Sequence, residues 1–86
     1  MLNQSHFIRI MLIELKEMIG NREIRYSLPE NPHYVGKVMV HMGHKHLHLT
    51  RLVDGSYITH FLPFRSYASI KDITADIINK VPAFNR

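Results

Sequence analysis

Eighty-six residues with seven histidines, no cysteine and a formal charge of +4 make one small domain, residues 1–86, with a thin core. A second domain, disulfide staples and a thiolate metal site are excluded, and the charge modestly favours a polyanionic partner. No apolar run is long enough to span a bilayer and the amino terminus lacks a signal-peptide pattern, so the expected location is cytoplasmic, with no membrane partner.

In chain order, Asn3 or Ser5 can cap a helix whose apolar residues Phe7, Ile8, Met11, Leu12, Leu15, Met18 and Ile19 recur at three- and four-residue spacing, with Gly20-Asn21 as its stop. Ile10 and Ile13 add apolar surface beyond that stripe. The helix is therefore expected to pack deeply on a sheet, with a homodimer through the Phe7–Ile19 helix as the alternative. Ile24, Tyr26 and Leu28 then alternate with Glu23, Arg25 and Ser27 as a short strand that Pro29 ends. The proline-containing segment 29–34 is a loop in which His33 is a solvated residue.

Val38, Val40 and Met42, then Leu47 and Leu49, alternate around Gly43 and predict a hairpin with Gly43-His44 in its turn. His41 then faces His46, Met39 faces His48 and Lys37 faces Thr50, while Val40/Leu47 and Val38/Leu49 share the other side. Asp54-Gly55 predicts a second, type I′ turn that sets Val53 opposite Ser56, Leu49 opposite His60 and Leu47 opposite Leu62. Together the two registers put Val38, Val40, Leu47, Leu49, Val53, Ile58 and Leu62 on a core face. Lys37, Met39, His41, His46, His48, Thr50, Leu52, Tyr57, Thr59 and Phe61 fall on the open one.

A connection through Pro63, Phe64, Arg65, Ser66 and Tyr67 leads to a second helix. Ser69 can cap it, with Asp72 as a capping-box-like acid; its apolar stripe is Ile70, Ile73, Ile77, Ile78 and Val81, and Pro82 limits it. The expected architecture is α+β: a helix, a short strand, a three-stranded antiparallel meander and a C-terminal helix, with the helices on one face of the sheet.

Four of the seven histidines fall between His41 and His48. The plainest account is a polar sheet face with no role. Against it, histidines opposite one another become unfavourable neighbours as they protonate, so the cluster is not a stability device in mild acid. His46 and His48 on one strand with His41 across from them could hold Zn²⁺, Cu²⁺ or Ni²⁺. No acidic residue is placed to orient those rings, so no metal or other cofactor is assigned. The third account is nucleic-acid binding: Lys37, Lys45, Arg51 and Arg65 contact phosphates, Tyr57 and Phe61 stack bases, and His41 and His48 share their face. RNA suits this better than duplex DNA, because neither helix is basic enough to enter a major groove. Tyr57 and Phe61 serve equally well as a packing surface for another subunit. Cleavage would need one histidine to take the 2′-hydroxyl proton, a second acid to protonate the leaving oxygen, and Lys45 or Arg51 to neutralise the phosphate; the product is a 2′,3′-cyclic phosphate, with no metal required.

Gly43-His44-Lys45-His46 at the first turn, Asp54-Gly55 at the second, Leu62-Pro63-Phe64 after the third strand and a closing helix from Ile70 to Val81 resemble the HicA family of toxin mRNA interferases. That family consists of small basic α-β-β-β-α domains of double-stranded-RNA-binding-like fold, and the similar region covers roughly half the chain, Lys37 to Val81. Lys45 stands where the family's catalytic histidine is expected, so the resemblance passes that role to His44 or His46. The resemblance implies RNA cleavage or binding and neutralisation by an antitoxin-like protein partner. The expected protein is thus a small basic RNA-binding protein, to which the resemblance would add metal-independent mRNA interferase activity from His44 and His46, with catalysis itself left open. The alternatives are a non-catalytic nucleic-acid-binding or protein-interaction domain and a histidine-based metal-binding protein.

Overall fold

The computed structural model describes residues 11–85. Five strands, β1 (Leu12–Ile19), β2 (Arg22–Pro29), β3 (Gly36–Met42), β4 (Lys45–Arg51) and β5 (Tyr57–Ile58), are followed by one helix, α1 (Ile70–Lys80), and a 3₁₀ turn, Pro82–Phe84. The strands form a single antiparallel sheet in the order β1-β2-β3-β4-β5, each beside its neighbour in sequence. The fold is α+β with one described helix covering one face of the sheet. No helix among the described residues is long and apolar enough to cross a membrane.

The first correction concerns the amino-terminal helix. Its cap and its first apolar residues lie outside the described residues, but Leu12–Ile19 is a strand paired along its whole length with β2, from Leu12 opposite Pro29 to Ile19 opposite Arg22. The segment carries two periods at once. Leu12, Leu15, Met18 and Ile19 suit a helix, while Ile13 and Leu15 alternating with Glu14 and Lys16 suit a strand. Gly20-Asn21 decides between them. Gly20 has φ 61 and Asn21 keeps a negative φ, the type II′ pattern of a two-residue hairpin rather than a helix terminus. Gly43-His44 does the same between β3 and β4, with Gly43 at φ 58.

The β3–β4 register is the expected one, with His41 opposite His46, Met39 opposite His48, Lys37 opposite Thr50, Val40 opposite Leu47 and Val38 opposite Leu49. The second turn differs by one residue. Thr50 pairs with Ile58 and Arg51 with Tyr57, and the Leu52 and Ser56 ends are joined by a three-residue loop in which the Gly55 N–H donates to the Leu52 carbonyl at 2.9 Å and the Leu52 N–H to the Ser56 carbonyl at 2.8 Å. Asp54 Oδ1 accepts from both the backbone N–H (2.9 Å) and the hydroxyl (2.6 Å) of Ser56, holding the loop open by one residue while Gly55 takes φ 85. Because side chains alternate with a period of two, this slip exchanges faces. Val53 is 87% exposed, whereas Tyr57 (6%) and Thr59 (5%) enter the core.

The third strand of the meander is also shorter than expected. After Ile58 the chain turns, with the Leu62 N–H donating to the Thr59 carbonyl, and comes back so that Tyr67 and Tyr57 exchange two backbone hydrogen bonds of 2.8 and 2.9 Å. Ser69 then caps α1, its hydroxyl accepting from the Asp72 N–H at 3.0 Å. Ile70, Ile73 and Ile77 of α1 pack on Ile24, Val38, Val40, Leu47 and Leu49 of the sheet, with Tyr57, Tyr67 and Phe84 closing the sides. The carboxyl end is fastened back onto the sheet, where Arg22 donates to the Phe84 and Asn85 carbonyls (2.8 and 2.7 Å) and Lys45 Nζ to the Ala83 carbonyl (2.5 Å).

Candidate functional site

Alternation along each strand decides what the uncovered face of the sheet displays. Ile24 and Tyr26 turn inward, so Arg25 turns out; Val38, Val40 and Met42 turn inward, so Lys37, Met39 and His41 turn out; Leu47 and Leu49 turn inward, so His46 and His48 turn out. The registers then line these residues up across the strands. Lys16 faces Arg25, Arg25 faces His41 and His41 faces His46, a straight row of four nitrogen-bearing side chains over three inter-strand steps, roughly 14 Å. His48 lies on the same face one row along, opposite Met39, and Lys37 one row further, opposite Thr50.

At one end of the row the His41 and His46 rings meet edge to face, 4.7 Å between centroids, with their Nδ1 atoms 2.9 Å apart. One Nδ1 must carry the hydrogen while the other offers its lone pair, because two imidazolium rings would present donors only. At the other end Lys16 lies 3.8 Å from Glu23, an exposed pair of little energetic weight. Beside the row a shallow groove of about 540 Å³ opens between Glu14, Lys16, Arg25, Ser27 and His41. It continues where β2 and β3 part after Tyr26 and Val40, along Ser27, Lys37 and Met39.

The expected site residues divide into two groups. Lys37, His41, His46 and His48 are together on the open face. His44 is exposed in the turn and stands outside the His41–His46 pair. Lys45 points to the helix side, bonded to the Ala83 carbonyl. Arg51 also lies on the helix side, opposite Tyr57, and donates to the carbonyls of Pro32 (3.0 Å) and Tyr34 (3.3 Å), bracing the loop before β3. Arg65 lies beside α1, 3.6 Å from Asp76 and 5.0 Å above the Tyr67 ring. Tyr57 is buried, and Phe61 packs edge to face on Phe84 at 5.1 Å between centroids. The one-residue slip of the second turn takes Tyr57 off the histidine face, and the turn after Ile58 takes Phe61 off it, so neither residue expected to stack bases remains there.

His48 does not join His41 and His46 as a third ligand. Among the described residues no group of three or more histidine, aspartate or glutamate side chains is placed to hold a metal ion. Two residues of the row were not anticipated. Helical spacing puts Lys16 on a helix, and strand alternation gives Arg25 only as the polar side of a short strand. The signal that finds them is the Gly20-Asn21 turn, which brings Lys16 opposite Arg25 once it is taken as a hairpin. Comparison with protein-family models, with curated proteins and with solved structures found no match.

Proposed function

We propose that the protein binds RNA along the uncovered face of its sheet, chiefly through the phosphate backbone. The observation that carries this is the in-register row Lys16–Arg25–His41–His46, flanked by Lys37 and His48 and bordered by the groove beside Arg25 and His41. A row of cationic and hydrogen-bond-donating groups suits a chain of phosphates, and its contribution to affinity is electrostatic and therefore salt-dependent. With Tyr57 buried and Phe61 packed on Phe84, the row from Lys16 to His46 has no tyrosine or phenylalanine of its own for base stacking, so affinity is expected to vary little with RNA sequence. The antitoxin-like partner implied by the HicA resemblance would neutralise the protein by covering this face.

The His41–His46 contact favours cleavage as a second reading. The two rings are close enough to flank one phosphodiester, so that when substrate replaces their mutual hydrogen bond one imidazole serves as base and the other, as imidazolium, serves as acid. The neutral imidazole takes the 2′-hydroxyl proton and the 2′-oxygen attacks the adjacent phosphorus. The bond to the 5′-oxygen breaks, and that oxygen takes a proton from the imidazolium, leaving a 2′,3′-cyclic phosphate and a 5′-hydroxyl. In this reading Arg25, which pairs with His41 across the strands, neutralises the phosphate as its charge grows.

The test uses a labelled single-stranded RNA in fluorescence anisotropy across a salt series, with the products resolved on a gel. The logarithm of the affinity is expected to fall linearly with the logarithm of salt, with a slope of about 0.7 per phosphate contacted. Arg25→Ala and Lys37→Ala should each weaken binding several-fold, while Lys71→Ala on the far side of α1 should not. Absence of binding at low salt, or equal affinity in all three variants, overturns the binding proposal. A cyclic-phosphate product that vanishes in His41→Ala supports cleavage; its absence from the wild type removes the cleavage reading and leaves binding standing.

A further inference from the structure

The two edges of the sheet are unlike. β5 is two residues long and is shielded by its bridge to Tyr67, while β1 offers eight consecutive residues with no proline. The Met11 carbonyl accepts from the N–H of Glu30, the residue after β2. By alternation the N–H and C=O groups of Leu12, Glu14, Lys16 and Met18 therefore point away from the sheet, with no strand beyond them among the described residues. Apolar exposure is concentrated at the same edge. Of the nine exposed large hydrophobic residues among those described, Met11, Leu12, Ile13, Leu15 and Met18 belong to it, whereas Val35, Met39, Val53 and Phe64 are scattered over separate loops and strands.

We infer that β1 pairs antiparallel with β1 of a second copy of this chain, about a two-fold axis through Leu15, making one continuous ten-stranded sheet. Charge complementarity selects both the occupant and the register. Self-pairing along this edge must join even-numbered residues to even-numbered ones, so a central axis passes through Glu14, Leu15 or Lys16. An axis at Glu14 sets that carboxylate against its own copy, and one at Lys16 does the same to the ammonium. Only the axis at Leu15 puts Glu14 opposite the partner's Lys16 and Lys16 opposite the partner's Glu14, while Leu12 meets the partner's Met18 on the same face. On the helix side Leu15 then meets the partner's Leu15 as a non-hydrogen-bonded pair, the arrangement in which opposing side chains come closest. Lys16 ends the row proposed to bind RNA, so pairing would join the open faces of the two copies into one surface.

Sedimentation of the full chain at about 100 µM should give twice the monomer mass of 10.1 kDa. Glu14→Lys and Lys16→Glu each turn two attractive contacts into repulsive ones and should weaken association about tenfold, whereas the double reversal restores it. Because the chain has no cysteine, Leu15→Cys introduces a lone thiol on the axis, and mild oxidation should link two chains. A monomeric wild type, as would result if the chain's own first ten residues occupied this edge, overturns the inference. So does a dimer indifferent to both single charge reversals, whether or not the cysteine variant folds.

Discussion

Asp54 shows how one side chain can redirect a site. Its carboxylate accepts both the N–H and the hydroxyl of Ser56, which holds its pKa below the ordinary carboxylate range and makes the turn one residue longer than the Asp54-Gly55 pair alone suggests. The consequence falls on Val53 and Tyr57, which exchange the faces their sequence pattern assigns. Val53→Thr should therefore change stability by no more than about 0.5 kcal/mol. Tyr57→Ala should cost about 3 kcal/mol or more and lower the melting temperature by more than about 10 °C. Thermal unfolding of the two variants measures this directly. A larger loss from Val53→Thr than from Tyr57→Ala would restore the two-residue turn and return Tyr57 to the histidine face.

At the scale of elements, α1 is held to the Tyr67 connection by one carboxylate. Asp76 accepts from the Tyr67 hydroxyl and lies 3.2 Å from Lys80 and 3.6 Å from Arg65. Those partners, the Tyr67 hydrogen bond foremost, hold its pKa below the ordinary value of 3.8, while the same bond raises that of the Tyr67 phenol. A carboxyl whose pKa is depressed by folding contributes stability above its unfolded pKa, and that contribution is lost as the pH falls through the folded value. Asp76→Asn should thus melt below the wild type at pH 7, and the gap should close as the pH is taken below about 3.8. A gap unchanged between pH 7 and pH 2 would show that the carboxylate charge is not what fastens the helix. On the opposite flank Tyr26 donates to Glu17 across the β1–β2 pair; burial and then this bond push the Tyr26 phenol up, and the bond ties the edge strand to the core.

Across the whole molecule, one layer of helix covers one face of a five-stranded sheet, and both the uncovered face and the β1 edge carry proposed roles. If two copies pair through β1, folding and association are linked, and the melting temperature should rise with protein concentration, by a few degrees over a hundredfold range. A concentration-independent melting temperature would mean that the monomer is the folding unit and that β1 remains unpaired. Much of this architecture is local and legible along the chain. Ser69 with Asp72 marked α1, its isoleucine spacing marked the buried stripe, and Gly43 between alternating residues set His41 against His46, because each of these features depends on neighbours a few residues apart. Three matters were decided only by tertiary structure. Leu12–Ile19 satisfies helical and strand periods alike, and only a partner strand across Gly20-Asn21 supplies the hydrogen bonds that favour extension. The Asp54 turn is a choice between two loop lengths, settled by whether Tyr57 and Thr59 or Val53 and Ile58 fit beneath α1. The row from Lys16 to His46 joins residues up to thirty positions apart, and no pattern within one segment can state it, since it exists only where three separate strand registers agree.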